Sequence, residues 1–338
     1  QLMRAPSDLP FTRIPVVDFG EFLFGSARQQ REVAARIGDA CRNVGFLYLV
    51  NHGVSRELME SVFRVGAELF DLPAERKRAM AYAEGGVRGY FGYRSENLDQ
   101  FKASGQRGDL KEGFDVGLER GQLPLNATTS PAFHSANHWP SGGDVPAFRP
   151  TLERYMAAMR VLASRLTEAF ALSLGLSQHY FVDMCTAPCV NLRVNHYPPP
   201  PVDTPGLGCG AHTDYGLFTI LMQDMVGGLQ VRNSLGMWVD ATPLEGSFVI
   251  NIGDMMQRWT NNTYSSTVHR VIASKQRRFS VPFFYNANCD AVVECLRTCT
   301  DAARPPLFEP ETAESILQNR YTAAFGKGTF KAPPAGAT

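Results

Sequence analysis

Two histidines and one aspartate in the C-terminal half of the chain have the types and spacing of metal ligands. His212 and Asp214 are separated by one residue, and His269 follows on a separate predicted strand. Two imidazoles and one carboxylate on one side of a metal leave about three coordination positions open, an arrangement that binds non-haem Fe(II). Arg278 follows His269 and supplies the positive charge that an anionic cosubstrate would need.

A His-x-Asp sequence at a turn is, by itself, more often a surface hydrogen-bonding arrangement than a metal site. The addition of His269 on another strand, with Arg278 and Ser280 after it, makes a metal site the favoured interpretation. The other histidines are assigned to turns, loops, a helix end or the opposite strand face, and none is predicted as a ligand: His52, His134, His138, His179 and His196.

Polar residues also recur at alternate positions of the predicted strands, and such residues share one face of a strand. The pairs are Asn195 with Tyr197, His212 with Asp214, and Arg278 with Ser280. Inside a barrel, an unpaired polar group would cost roughly 2–7 kcal/mol. These pairs therefore predict a bound metal or ligand.

Composition excludes several classes of protein. The 338 residues include 33 Lys plus Arg and 33 Asp plus Glu, so no net positive field favours nucleic acid. No apolar run approaches the roughly 20 residues of a membrane-spanning helix, and the N-terminus lacks a secretory pattern. We expect a cytoplasmic protein with a small-molecule substrate and no membrane or nucleic-acid partner. Since the chain starts at Gln1, prior loss of a targeting segment stays open, as does the oligomeric state.

The seven cysteines show no zinc-like spacing. They stand at positions 41, 185, 189, 209, 289, 295 and 299. This pattern predicts reduced thiols and no structural zinc.

The order of helix and strand signals divides the chain into five segments. Residues 1–117 read as an α/β module, and 118–150 as an irregular connection that either lies over an active site or is a disordered linker. Residues 151–188 contain a helix with one apolar stripe, from Leu152 to Leu174, that predicts core packing. Residues 189–300 hold short strands between Pro, Gly and Asn turns, which favour a sandwich or jelly roll. Residues 301–338 are a C-terminal helix and tail.

Several motifs together resemble the isopenicillin N synthase-like branch of the Fe(II)/2-oxoglutarate-dependent dioxygenases. The match covers most of the chain. Besides the His212, Asp214 and His269 set, the stretches that carry it are Ile14–Asp18, Gly45–Gly53, Phe70–Pro73, Asn195–Pro199, Gly228–Val231, Asn251–Asp254 and Arg278–Ser280.

The resemblance implies a mixed α/β chain with a mainly-β core. That core is a double-stranded β-helix, the cupin-like jelly roll, flanked by helices and preceded by the α/β module. His212, Asp214 and His269 would hold Fe(II), and Arg278 with Ser280 would bind the distal carboxylate of 2-oxoglutarate. Asn195 and Tyr197 would add cosubstrate contacts, although Tyr197 could equally be a packed barrel aromatic.

The implied reaction consumes O2 and 2-oxoglutarate, releases succinate and CO2, and oxidises an unactivated C–H bond of a small molecule. Hydroxylation is the default outcome. Desaturation, ring closure and demethylation use the same chemistry, and the motifs do not separate them.

The resemblance also implies a set of pocket residues. Their aromatic faces and single charge suit a small planar or aromatic substrate with a polar edge, but they could equally pack the α/β module against the barrel. The predicted set is Tyr90, Phe91, Tyr93, Arg94, Phe114, Leu192, Phe218, Met222 and Trp259.

Two alternatives remain at this stage. An oxidase resembling isopenicillin N synthase needs no 2-oxoglutarate and uses its Arg-x-Ser pair to hold a substrate carboxylate. A non-catalytic sensor would keep the fold and the metal without turnover. The Asn-x-Tyr-Pro stretch at Asn195 favours the relatives that use 2-oxoglutarate.

Overall fold

The fold is built around two facing β-sheets, seen in a computed structural model that describes residues 10–82, 87–100, 105, 108–141, 143–200 and 206–325. Its strands are β1 (Val16–Asp18), β2 (Phe46–Val50), β3 (Gly89–Phe91), β4 (Glu112–Val116), β5 (Pro188–Tyr197), β6 (Leu207–His212), β7 (Phe218–Gln223), β8 (Leu229–Arg232), β9 (Trp238–Asp240), β10 (Phe248–Ile252), β11 (His269–Ile272), β12 (Arg278–Asn288), β13 (Val292–Val293) and β14 (Glu311–Thr312). Its helices are α1 (Gly20–Phe24), α2 (Ala27–Asn43), α3 (Arg56–Phe70), α4 (Ala74–Arg78), α5 (Phe148–Ser173), α6 (Asp254–Trp259) and α7 (Ala313–Phe325).

The larger sheet has the strand order β1-β2-β10-β7-β12-β5-β4-β3, and the smaller sheet has the order β6-β11-β8-β9. Every pairing in these two sheets is antiparallel except β1 with β2, which is parallel. This arrangement confirms the predicted double-stranded β-helix with flanking helices. The strands before residue 117 join the larger sheet at its two ends, so the N-terminal segment extends the barrel.

Helix α5 packs the outer face of the larger sheet and contacts α2 and α3. Its apolar stripe is buried as predicted. The helix begins at Phe148, within the segment 118–150 that the sequence assigned to the irregular connection. The Phe170 ring meets the ring of Phe218 on β7 edge to face at 5.1 Å. The outer face of the sheet is therefore apolar and covered, which leaves the opposite face for polar side chains.

The described part of the connection before α5 packs into the fold. Leu118, Leu123, Phe133 and Val145 are buried in the main hydrophobic core. Its residues do not line the two cavities beside His212 described below, but the Phe133 ring lies 5.9 Å from the Tyr321 ring of helix α7. A role of this segment in covering the active site stays a prediction. Of the C-terminal segment, residues 326–338 lie outside the described part of the chain.

The expectation that all seven cysteines are reduced is wrong for one pair. Cys189 and Cys289 form a disulfide, because the antiparallel pairing of β5 with β12 brings the start of one strand beside the end of the other. His134 lies next to both sulfur atoms. Cys41, Cys185, Cys209, Cys295 and Cys299 are buried free thiols. No described helix combines the length and apolarity needed to span a bilayer.

The packing of α5 can be tested by cavity creation. Phe170→Ala removes a fully buried ring between α5 and the larger sheet, and we expect it to lower the free energy of unfolding by about 3–5 kcal/mol. Val161→Ala on the exposed side of the same helix is the control, with an expected change within about 0.5 kcal/mol. Equal denaturant midpoints for the two variants would contradict this role of α5.

Candidate metal and cosubstrate site

Strand pairing in the smaller sheet brings the three predicted ligands together. His212 ends β6, His269 begins β11, and the two are partners in the antiparallel register. Asp214 follows on the turn after β6. The Oδ1 atom of Asp214 lies 3.7 Å from Nε2 of His212 and 3.7 Å from Nε2 of His269. All three side chains are buried, so one ion could contact three ligand atoms from one side.

Backbone carbonyls orient both imidazole rings. Nδ1 of His212 lies 2.7 Å from the Gly210 carbonyl oxygen, and Nδ1 of His269 lies 3.0 Å from the Thr267 carbonyl oxygen. A carbonyl accepts only from a protonated nitrogen, so the proton stays on Nδ1. The Nε2 lone pairs then face the shared space, as metal ligation requires.

Two neighbours hold the carboxylate of Asp214. Asn251 on β10 donates to Oδ2 at 2.7 Å, and the hydroxyl of Thr219 on β7 donates to the same oxygen at 2.5 Å. Oδ1 is thereby left for the space between the histidines. The Asn251–Asp254 stretch was recognised in the sequence as a motif, but its part in holding Asp214 is seen only in the fold.

The protonation states of Asp214 and His269 also suit metal binding. Burial raises the pKa of Asp214, but His269, His212 and the two donated hydrogen bonds outweigh burial, so the pKa lies below its ordinary value. Burial, followed by the neighbouring His212, lowers the pKa of His269 to about 4. At neutral pH, the site therefore presents an ionised carboxylate and a neutral His269 imidazole, the forms that bind a divalent cation.

Arg278, Ser280, Asn195 and Tyr197 meet inside the barrel next to the three ligands. Register in the larger sheet pairs Arg278 with Tyr197 and Ser280 with Asn195. The Asn195 amide donates to Ser280 Oγ at 3.4 Å, and the Arg278 guanidinium lies over the Tyr197 ring at 4.7 Å. We call the cavity that these four residues line, with His212, Asp214 and His269, the Arg278 cavity.

Several polar atoms in this cavity have no protein partner. Arg278 is 1% exposed, yet its Nε and Nη1 atoms and the Oδ1 atom of Asn195 make no hydrogen bond. Nη2 makes one long contact, 3.4 Å, with Gln223. Among the described residues, no carboxylate lies within ion-pair distance of this buried guanidinium, an arrangement that suits an anionic ligand.

A second cavity adjoins the first, and we call it the Tyr215 cavity. The two share Leu98, Arg193, His212, Asp214 and Phe284. It is lined by Leu98, Asn191, Arg193, His212, Thr213, Asp214, Tyr215, Gly216, Phe284, Asn286, Leu317 and Tyr321. Helix α7 supplies Leu317 and Tyr321, and the ion pair between Arg320 and Asp254 ties this helix to the start of α6. Two of the three proposed ligands thus line two cavities of different composition.

The predicted pocket residues do not line either cavity. Leu192 was placed on the wrong face of β5, because Asn191, Arg193, Asn195 and Tyr197 are the residues of that strand that point into the barrel. The same alternation turns Phe218 and Met222 of β7 and Phe114 of β4 toward α5. Trp259 of α6 packs against Phe181 in the core.

The other predicted pocket residues belong to the edge near β3. Tyr90 donates to Glu112 on the outer face, and Phe91 lies behind the cavity wall, where its ring meets the Arg193 guanidinium at 4.5 Å. Tyr93 and Arg94 are exposed on the turn after β3. His196 faces outward as expected, where it contacts Glu112 and Arg277.

Two family models match the chain. One, described as non-haem dioxygenase in morphine synthesis N-terminal, covers residues 14–142, and the other, the 2OG-Fe(II) oxygenase superfamily, covers residues 188–287. The chain is 33% identical over 323 residues to the 2-oxoglutarate-Fe(II) type oxidoreductase hxnY of Emericella nidulans, covering 94% of this chain and 91% of that protein. It is 36% identical over 280 residues to homoarginine-6-hydroxylase 2-ODD-233 of Oryza sativa subsp. japonica, covering 80% and 82%.

Two solved structures of 2-oxoglutarate-binding proteins are similar to this chain. A full-length Neurospora crassa protein in complex with alpha-KG and thymine superposes with a TM-score of 0.81 at 30% identity, covering 92% of this chain and 96% of that one. JOX2 in complex with 2OG, Fe and JA superposes with a TM-score of 0.77 at 30% identity, covering 97% and 90%. The chain therefore belongs to the 2OG-Fe(II) oxygenase superfamily. It is a non-haem dioxygenase whose cofactor is Fe(II) and whose cosubstrates are 2-oxoglutarate and O2.

The support of Asp214 by Asn251 gives a test of the metal site. Asn251→Ala removes the 2.7 Å hydrogen bond to Oδ2 and frees the carboxylate to rotate, so we expect a loss of about 10–100-fold in Fe(II) affinity. Anaerobic calorimetry with Fe(II) measures it, and Gln276→Ala, an exposed residue before β12, is the control. Unchanged iron affinity in Asn251→Ala would show that Asp214 needs no such support.

Proposed function

We propose that His212, Asp214 and His269 bind the Fe(II), that Arg278 binds 2-oxoglutarate, and that the enzyme hydroxylates a small molecule held in the Tyr215 cavity. The observation that carries the proposal is the buried, partly unpartnered guanidinium of Arg278 in the same cavity as the three ligands. A dicarboxylate could reach the ligand atoms with one end and Arg278 with the other.

The residues around Arg278 account for recognition of the distal carboxylate. Two nitrogens of the planar guanidinium, Nε and Nη1, have no protein partner, so the side chain can donate hydrogen bonds to a carboxylate. The Ser280 hydroxyl lies beside it, 3.5 Å from the Tyr197 hydroxyl, and can donate a further hydrogen bond. Burial strengthens these contacts because little water competes for them.

When Fe(II), 2-oxoglutarate and O2 are bound, the metal centre supplies an oxidant strong enough to take hydrogen from an unactivated C–H bond. His212, Asp214 and His269 would hold the metal, and the two cavities would hold the cosubstrate and the substrate beside it. Leu98 and Phe284 line both cavities and exclude water where the two meet. Placement of the target carbon next to the metal is then the work of the Tyr215 cavity.

The different linings of the two cavities support a 2-oxoglutarate-dependent reaction over the oxidase alternative. In that oxidase, the Arg-x-Ser pair holds a carboxylate of the substrate itself. Here, Arg278 and Ser280 line the Arg278 cavity only, whereas the adjoining Tyr215 cavity has further polar and aromatic residues of its own. Two adjoining cavities with different linings fit two different organic molecules. Thymine and JA in the related complexes are examples of small molecules held together with bound cosubstrate.

The role of Arg278 can be tested against its neighbour on the strand. Arg278→Ala should weaken 2-oxoglutarate by at least about 30-fold, since the anion loses its charged partner. Arg277→Ala is a matched control, because Arg277 points to the outer face and pairs with Asp71. The affinity of each variant is measured by anaerobic titration of 2-oxoglutarate into the Fe(II)-loaded protein. The weak visible charge-transfer band reports the binding. Equal affinities in the two variants would assign Arg278 to another ligand.

The ligand assignment can be tested by metal content. Asp214→Ala leaves two imidazoles, and we expect no stoichiometric iron after desalting and no succinate released from 2-oxoglutarate. The exposed Asp240→Ala on β9 should retain iron and activity. An Asp214→Ala protein that holds one equivalent of iron would refute the assignment.

A further inference from the structure

The charges around the Tyr215 cavity restrict its substrate. Arg193 is the one Arg or Lys among the described residues that line it, and two carboxylates already neutralise this cation. Asp115 accepts from Nε at 2.8 Å and from Nη2 at 2.7 Å, and Glu96 accepts from Nη1 at 2.8 Å. Among the described residues of this lining, an anionic substrate would find no unpaired Arg or Lys. The cavity is therefore suited to a neutral molecule.

One side chain of this cavity carries a hydrogen-bond acceptor without a partner. Asn286 on β12 is 7% exposed, and its Oδ1 atom makes no hydrogen bond in the described structure. Its Nδ2 atom donates to the Cys189 carbonyl oxygen at 2.7 Å. Since a carbonyl cannot donate, this contact determines which end of the amide is oxygen. Asn286 therefore presents an acceptor, and a buried acceptor calls for a donor.

The turn that follows Asp214 leaves space for the Asn286 Oδ1 atom. Gly216, two residues after Asp214, also lines the cavity, and a Cβ atom there would lie 1.8 Å from Asn286 Oδ1. Only the bare glycine backbone lets the amide oxygen approach. A group bound to Asn286 would thus lie next to the turn that carries an iron ligand, within a cavity that also has the Tyr215 and Phe284 rings in its walls.

We infer that the substrate is a neutral, flat molecule with an N–H group, such as a lactam, imide or carboxamide, and that Asn286 selects it by accepting a hydrogen bond from that N–H. This inference rests on the proposed function, because it assumes that the Tyr215 cavity is the substrate compartment. A carboxylate lacks the donor and adds a charge, and an N-methylated analogue lacks the donor and adds bulk. Asn286 acts on specificity and takes no part in the oxidation.

The test uses 2-pyridone, thymine and benzamide, each with its fully N-methylated counterpart, and benzoate as the carboxylate counterpart of benzamide. Binding to the Fe(II)- and 2-oxoglutarate-loaded enzyme is measured without O2 by calorimetry. We expect at least one N–H compound to bind about tenfold or more tightly than its counterparts, as the loss of one buried hydrogen bond predicts. Equal binding of the counterparts, or no binding by any N–H compound, would overturn the inference.

Two variants separate recognition from scaffolding. Asn286→Leu removes the acceptor and the donation to Cys189, and the preference for N–H should fall to less than about threefold. Asn286→Asp keeps an acceptor oxygen but loses the donation, and the preference should remain. Loss of preference in both variants would make Asn286 a structural residue, and preference retained in Asn286→Leu would also overturn the inference. Thermal melts confirm that each variant is folded.

The charge-transfer band of bound 2-oxoglutarate shows whether the proposed function fails or only the inference about the substrate. If the wild-type band is absent, the proposed function fails and the inference fails with it. If the band appears and the N–H preference does not, the inference alone fails.

Discussion

The antiparallel pairing of β5 with β12 is the contact on which the rest of the site depends. Its register places Arg278 beside Tyr197 and Ser280 beside Asn195 on the inner face, and Phe283 beside Leu192 on the outer face. One set of backbone hydrogen bonds thus sorts polar side chains into the barrel and apolar ones against α5. A shift by one residue would exchange the two faces, so the burial of the outer face indirectly maintains the arrangement of the inner one.

The buried charges inside the barrel must be neutralised as well as positioned by the strand register. Arg193 and Lys111 are both buried, and both contact Glu96, while Asp115 holds Arg193 from β4. Charges placed so deep are tolerated because each has a partner at hydrogen-bond distance. Arg278 differs, since no carboxylate of the described residues lies within ion-pair distance of it, and this contrast with Arg193 is what the proposed role of Arg278 in ligand binding would require.

The proposed metal ligands could be predicted to lie together because His, Asp and Arg on separate strands form a rare combination, and alternation places pairs such as Asn195 and Tyr197 on one face. The short strands indicated a sandwich or jelly roll, and the resemblance of the motifs to a known family implied the β-helix. The same alternation, continued back along β5, would have identified Arg193 and Asn191 as cavity residues. The resemblance instead implied Leu192 as a pocket residue, whereas alternation places its side chain on the outer face with Phe283. The contributions of Leu317 and Tyr321 had no local signal, because they depend on where the chain returns after β12. The Cys189–Cys289 contact likewise depends on strand register.

Helix α7 closes the Tyr215 cavity although it lies beyond the last strand of the barrel. Because synthesis proceeds from the N-terminus, the three ligands and Arg278 leave the ribosome before Leu317 and Tyr321 do. The residues of the proposed metal and cosubstrate site are therefore synthesised before those that close the Tyr215 cavity. Replacements of Leu317 or Tyr321 would change the lining of this cavity and leave the proposed metal ligands and Arg278 as they are.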